Sequence, residues 1–208
     1  MARVDDYSAA ADLARERLRA RDPGALADAG GARLGSDSSG KWSLHIRFLG
    51  RLCAATWPEL VFWSTENGQS LTLQEQVLIL HYLERAKGCV LTGKWISYQE
   101  IPDGRFYMDA FIRRAKDPLV RSFGTRPEML LDLARSAYGA SPFDHGDVSA
   151  VFDAFPYVPV ALILWNGDDD FPPEGNILFD GSVVDLLSAE DAAWLAGMAV
   201  YPLIGRIA

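Results

Sequence analysis

The stretch Pro159-Val160-Ala161-Leu162-Ile163-Leu164-Trp165 decides the fold of this chain. It is a continuous apolar run bounded by Pro on one side and by Asn166-Gly167 on the other, and these breakers leave no room for three helical turns. The run therefore predicts a strand that is buried on both faces. An acidic loop follows at 166–176, and Ile177-Leu178-Phe179-Asp180 predicts a return strand.

The segments around this strand predict a mixture of antiparallel strands and helices. Residues 42–64 predict a meander of two or three strands, and 93–101 predict one more. Helices are predicted at 7–20, 73–87, 107–115 and 127–138, with a short helix at 148–154 and a last helix from Ser188 that Pro202 kinks or ends. Thr72 and Glu75 form a capping box before the 73–87 helix, and Gly88 can supply its left-handed stop.

These elements predict an α+β fold, with a mostly antiparallel sheet and helices packed mainly on one side. At 208 residues and 49% hydrophobic content, the chain can fill one sizeable core. Residues 30–41 are rich in Gly and Ser and predict a flexible connector. The predicted organisation is an N-terminal helical segment with this connector at 1–41, and a single α+β domain at 42–208.

Charge and cysteine content exclude several classes of function. The formal net charge of -8 repels phosphate backbones and anionic lipid surfaces, so neither nucleic acid nor a membrane is an expected partner. Cys53 and Cys89 have no Cys or His neighbours at zinc or iron–sulfur spacing. The sequence shows no signal peptide and no apolar run near the ~20 residues that span a bilayer. We expect reduced thiols and a cytoplasmic location.

The acidic loop resembles a calcium site at first reading. A calcium-loop register starting at Asn166 places Asp168 and Asp170 at the third and fifth positions, but it requires Gly where Phe171 stands and a carboxylate where Ile177 stands. A solvated turn is favoured, and an irregular metal site formed by Asp168, Asp169, Asp170 and Glu174 is the alternative. The sequence contains no Gly-x-Ser-x-Gly elbow and no glycine-rich phosphate loop. We therefore predict no catalytic or metal-binding residues.

Three motifs carry a resemblance to a known family: Leu78-Ile79-Leu80-His81-Tyr82-Leu83, the run from Thr92 to Gly104, and the run from Trp165 to Pro172 followed by Leu178-Phe179-Asp180. They resemble the domain of unknown function family 3786, over most of the chain from Trp42 onward. The resemblance implies an anaerobic setting near corrinoid, one-carbon or redox metabolism. Some members carry a four-cysteine iron–sulfur segment, and its absence here argues against direct electron transfer.

Aromatic residues are concentrated around the same motifs, where flat rings with polar edges can line a pocket for a planar ligand. His81 lies in the middle of an apolar helix, and its imidazole needs either a protein partner or a ligand metal. The hypothesis is a haem or corrinoid site, although core packing is the commoner role of such rings. The predicted cofactor-binding residues are His81, Trp95, Tyr98, Tyr107, Trp165 and Phe171.

The expected function is a non-enzymatic accessory module that binds a cofactor or small ligand in anaerobic one-carbon or redox metabolism. Its expected partners are that small-molecule cofactor or a larger redox or methyl-transfer protein. Two alternatives stay open: a protein-interaction subunit without a ligand, and a metal-assisted hydrolase that uses the acidic loop.

Overall fold

The computed structural model describes residues 4–36, 38–88 and 90–207, without the side chains of Val4 and Asp5. Contacts divide the described chain into two compact units. The first comprises the described residues of Met1–Val90 together with Phe155–Tyr157, and the second those of Leu91–Ala154 and Val158–Ala208. The domain division at 41/42 stays a prediction. Cys89 lies outside the described residues.

The first unit combines three helices with a four-stranded antiparallel sheet in the order β1-β2-β3-β4. Its elements are α1 (Val4–Arg19), α2 (Pro23–Gly30), β1 (Arg33–Ser36), β2 (Trp42–Phe48), β3 (Arg51–Thr56), β4 (Phe62–Ser64) and α3 (Leu73–Arg85). The meander predicted at 42–64 is thus confirmed. Leu44, Ile46 and Phe48 are buried on one face of β2, as the alternation predicts.

Strand β1 corrects the prediction of a flexible connector at 30–41. Arg33–Ser36 pairs with β2, and Leu34 lies opposite Leu44. The Gly and Ser content suggested a segment unable to fix itself, but the open edge of β2 supplies backbone hydrogen-bond partners that composition does not reveal.

Helix α3 begins as predicted and ends two residues early. The Thr72 amide donates to a Glu75 carboxylate oxygen at 2.8 Å, and the Glu75 amide donates to the Thr72 hydroxyl at 3.4 Å. The helix ends at Arg85, before the predicted Lys87. Arg21 donates to the carbonyl oxygens of Leu83, Glu84 and Ala86, so a side chain from outside the helix satisfies its C-terminal carbonyls.

The second unit holds a four-stranded antiparallel sheet in the order β5-β8-β7-β6, with helices α4 to α8. Its strands are β5 (Trp95–Ser97), β6 (Val148–Phe155, whose last residue belongs to the first unit), β7 (Val158–Trp165) and β8 (Glu174–Asp180). Its α-helices are α4 (Met108–Phe111), α5 (Asp117–Phe123), α6 (Glu128–Tyr138), α7 (Val183–Leu186) and α8 (Ala189–Ile204). A π-helical turn at Ile112–Lys116 joins α4 to α5, and 3₁₀ turns occupy Tyr98–Glu100 and Gly104–Tyr107.

Strand β7 confirms the interpretation of the apolar run. Residues 158–164 are all buried, and Trp165 is the first exposed residue. The return strand is also confirmed, since β8 pairs with β7 from Glu174 to Phe179. The α+β class with antiparallel pairing is confirmed, although the strands form two sheets where one was predicted.

The helix predicted at 148–154 is wrong, because these residues form β6. The sequence of this segment is mixed in character, but the fully buried β7 needs a hydrogen-bonded strand on this edge. Pairing with β7 therefore overrides local propensity. Strand β5 is also shorter than predicted, because Ser97 and Glu100 start a 3₁₀ turn with the hydrogen bonds of a capping box.

Pro202 neither ends nor interrupts α8, which runs on to Ile204. Ser188 and Asp191 form the predicted cap at its start. No helix in the part of the chain that the structure describes is long and apolar enough to cross a bilayer.

Candidate functional site

The predicted cofactor-binding residues are distributed over both units. His81 is half-buried in α3 of the first unit, and the other five lie in the second. Tyr98 is a core residue: only 1% of it is exposed, its ring stacks on Phe111 at 4.2 Å, and its hydroxyl donates to the Ala189 carbonyl at 2.7 Å. Burial raises the pKa of that hydroxyl above its ordinary value. The Tyr98 hydroxyl is thus engaged in the core.

The other aromatic residues of the second unit occupy separate surroundings. Trp95 is half-buried in β5, with its ring 4.8 Å from that of Phe143. Tyr107 is partly exposed at the end of the second 3₁₀ turn, and Phe171 is highly exposed within the acidic loop. Trp165 and Tyr98 are the two predicted residues that line one common pocket.

This pocket, the Trp165 pocket, lies at the free edge of β8. Strand β5 pairs only with Leu178, Phe179 and Asp180, so the first half of β8 has no strand on that side. A space of about 370 Å³ is left between this edge, the Ser97–Gln99 turn and the helical segment from Met108 to Lys116. Its lining residues are Ser97, Tyr98, Gln99, Met108, Phe111, Ile112, Lys116, Trp165, Glu174, Gly175 and Asn176.

Strand register fixes the side chains on one wall of the pocket. Trp165 lies directly opposite Glu174 in the β7–β8 pairing, and Asn176 shares the face of Glu174 because strand side chains alternate. The Trp165 side chain is 39% exposed although the seven residues before it are buried. The Asn176 side-chain oxygen accepts the Ile177 amide at 2.9 Å, which leaves its NH₂ group as a donor.

The π-helical turn provides the opposite wall, through Ile112 and Lys116. In a regular α-helix the ring of Pro118 would clash with the carbonyl of Arg114, and Pro118 has no N–H to donate. The wider turn avoids this conflict, since the Asp117 amide bonds the Ile112 carbonyl one residue farther back than in an α-helix. Within a wider turn Lys116 reaches the pocket, and its ammonium lies 3.3 Å from the Glu174 carboxylate.

The acidic loop lines a second, wide-open depression of about 650 Å³ with Gly124, Thr125 and Pro127. The Asp168 carboxylate accepts the amides of Asp170 and Phe171, at 2.9 and 2.8 Å, so it stabilises the loop turn itself. No group of three or more His, Cys, Asp and Glu side chains is arranged to hold a metal ion within residues 4–36, 38–88 and 90–207. The loop geometry is that of a hydrogen-bonded turn.

Asp180 is a structural residue whose role sequence reasoning missed. Only 3% of it is exposed, and its carboxylate accepts the amides of Thr92, Gly93 and Ser182 and the Thr92 hydroxyl, at 2.7 to 3.0 Å. Burial alone raises the Asp180 pKa, but these hydrogen bonds outweigh it and hold the pKa below its ordinary value. Thr92, Gly93 and Asp180 all stand in the motifs quoted for the family resemblance, but the sequence does not show that they meet.

Sequence reasoning also missed Lys116, Ile112 and Asn176 as pocket residues. The helix predicted at 107–115 stopped short of Lys116, and Pro118 was the one signal of an irregular turn there. Cys53 is buried, and burial raises the pKa of its thiol to about 11, so the thiol stays protonated at neutral pH.

The model of a family described as Domain of unknown function (DUF3786) matches residues 22–201. No curated protein matches the chain, and no solved structure matches it.

Proposed function

The chain belongs to the DUF3786 family, whose description assigns no activity, and we propose that it is a non-enzymatic accessory module that binds a small ligand in the Trp165 pocket. The observation that carries the proposal is the exposed indole of Trp165 at the end of a fully buried strand, facing a space of about 370 Å³. An aromatic wall with a few polar groups is typical of small-molecule sites.

The composition of the pocket supports binding rather than catalysis. Met108, Phe111 and Ile112 are apolar. The polar side chains are those of Ser97, Tyr98, Gln99 and Asn176 and the Lys116–Glu174 ion pair. The Tyr98 hydroxyl is engaged by the Ala189 carbonyl, so it is not free to act as a general acid or base.

Haem and corrinoids do not fit the lining of this pocket. No histidine is among the described residues that surround it, and His81 belongs to the first unit. We therefore assign the pocket a small organic ligand and derive nothing from a bound metal. The anaerobic one-carbon or redox setting, with a larger redox or methyl-transfer protein as partner, stays part of the proposal and is supported only by the family resemblance.

A second candidate, an interaction subunit without a ligand, is favoured by Phe106. Its side chain is 86% exposed, next to the partly exposed Tyr107. The turn that carries it is fixed: Asp103 has a φ of 63°, and a Cβ at Gly104 would clash with the carbonyl oxygen of Tyr98. A rigidly presented, exposed ring is typical of a partner contact. No observation favours the metal-assisted hydrolase.

Native purification under anaerobic conditions, followed by denaturation and mass spectrometry, tests the proposal. We expect wild type to retain a small molecule. Trp165→Ala should retain about tenfold less, because the variant lacks the indole against which the ligand packs. Phe106→Ala is the matched control and should retain the wild-type amount. Absence of any bound molecule from wild type, or undiminished retention by Trp165→Ala, would overturn the proposal. A larger protein that co-purifies with wild type but not with Phe106→Ala would favour the second candidate.

A further inference from the structure

We propose that the ligand of the Trp165 pocket is a flat ring that carries a carboxylate, and that this carboxylate replaces Glu174 as the partner of Lys116. The inference rests on the proposed function, because it specifies the chemistry of the ligand in the same pocket. Three features carry it: a slot for a ring, an exchangeable ion pair, and a second hydrogen-bond donor on the same side.

The slot is formed by walls on two different elements. Trp165 presents its partly exposed indole from the end of β7, and Met108 and Ile112 present apolar side chains from the helical segment. Stacking on an indole favours a flat ring, because offset rings combine area burial with quadrupole attraction. A space of about 370 Å³ suits a ligand of one or two fused rings.

The two partners of the Lys116–Glu174 ion pair differ in their exposure to solvent. The Lys116 side chain is 32% exposed and belongs to the π-helical turn, whereas the Glu174 side chain is 66% exposed and stands at the first position of β8. Glu174 can therefore turn into water with little loss, since an exposed and screened ion pair contributes little free energy. If Lys116 moved away instead, the pocket would lose the less exposed of the two charges.

This asymmetry favours an anionic ligand over a cationic one. Lys116 carries the only positive charge among the described residues that line the pocket. Asn176 directs its amide to the same face as Glu174, and its oxygen is already engaged by the Ile177 amide, so the group left for a ligand is a donor. An ammonium and an NH₂ group on one side match the two oxygens of a carboxylate.

A matched pair of probes separates charge from shape. 2-Naphthoate and 2-naphthamide have the same ring, and only the first carries a charge. By isothermal titration calorimetry at low salt, we expect wild type to bind 2-naphthoate about tenfold more tightly than 2-naphthamide. The preference should shrink as salt is added, because the Lys116 contact is partly exposed to solvent.

Three variants assign the preference to named side chains. Lys116→Met should reduce the ratio of the two affinities to about one, because it removes the positive charge and keeps an unbranched apolar chain on the wall. Glu174→Gln should strengthen 2-naphthoate binding by about threefold, because it removes the competing carboxylate. Trp165→Ala should weaken both probes. Circular dichroism spectra equal to wild type show that each variant is folded.

The outcomes distinguish this inference from the proposed function. Equal affinity of wild type for the two probes, or an unchanged preference in Lys116→Met, overturns the carboxylate and leaves ligand binding in the pocket standing. Failure of both probes to saturate wild type also overturns the inference, because the slot for a ring is then absent. Only the separate test, mass spectrometry of the natively bound molecule, can overturn the proposed function.

Discussion

At the scale of single residues, the Asp180 carboxylate connects the start of the second unit to the end of β8. Asp180 is almost completely buried, and its carboxylate accepts hydrogen bonds from two separate segments, Thr92-Gly93 and Ser182. The sequence places Asp180 at the end of an apolar strand, but it does not reveal which amides a carboxylate will meet. Such pairing over 88 residues becomes visible only in the folded chain.

Asp180→Asn should lower the free energy of unfolding by about 3 kcal/mol at pH 7, because buried amides lose a charged acceptor. The folded-state pKa of Asp180 is lowered, so its contribution is fully present above the ordinary pKa of an Asp and is lost as the pH falls through the folded value. Urea unfolding at several pH values should therefore show a constant difference from wild type down to about pH 5 and a shrinking one below about pH 4.

Asp185→Asn is the control for this prediction, because Asp185 is exposed on α7, five residues farther along the chain. Its substitution should change the free energy of unfolding by less than about 0.5 kcal/mol at every pH of the series. A difference between wild type and Asp180→Asn that stayed constant down to pH 3 would contradict a lowered pKa.

At the scale of elements, several correct predictions rest on signals in neighbouring residues, and the two strands that were not predicted are held by pairing with a neighbouring strand. The capping boxes of α3 and α8 and the continuous apolar run of β7 are each encoded in neighbouring residues. Strands β1 and β6 exist because β2 and β7 offer them hydrogen bonds. The Trp165 pocket was predicted only in part. Trp165 was named from its sequence motif, but Lys116 was not, because its place in the pocket depends on the π-helical turn.

The C-terminal end of α3 offers a prediction at this scale. Arg21 donates to three carbonyl oxygens there, at 3.1, 3.1 and 3.4 Å, and is half-buried. Arg21→Ala should lower the free energy of unfolding by about 2 kcal/mol, measured by urea unfolding, because the freed carbonyls lose a charged donor.

Arg17→Ala is the matched control near the same helix end. Arg17 forms only an exposed ion pair with Glu84, at 2.8 Å, and 58% of its side chain is exposed. Its loss should cost less than about 0.5 kcal/mol. Equal effects of the two substitutions would mean that capping of α3 by Arg21 contributes nothing beyond a surface charge.

At the scale of the whole molecule, the first unit is assembled from two separate stretches of chain. Phe155 is completely buried, stacks on Tyr82 at 4.3 Å and lies 4.9 Å from Phe48. A Cβ at Gly31 would lie 2.8 Å from the Pro156 side chain, and Gly31 has a φ of 63°. Residues far along the chain therefore complete the core that the first 90 residues begin.

Phe155→Ala in the full chain should lower the free energy of unfolding by about 3–5 kcal/mol, because it leaves a cavity between Phe48 and Tyr82. Phe106→Ala, at an exposed position, should change it by less than about 0.5 kcal/mol in the same urea titration. A loss of less than 1 kcal/mol for Phe155→Ala would show that the first unit does not need this ring.

The turn at Phe155–Tyr157 also bears on how this protein is inherited. A rearrangement that joined codons 1–90 to another gene would separate most of the first unit from Phe155–Tyr157. Neither product would then carry that unit complete. Selection should then keep the two stretches on one uninterrupted coding segment. The match of the family model, over residues 22–201, includes both Phe155–Tyr157 and most of the first 90 residues.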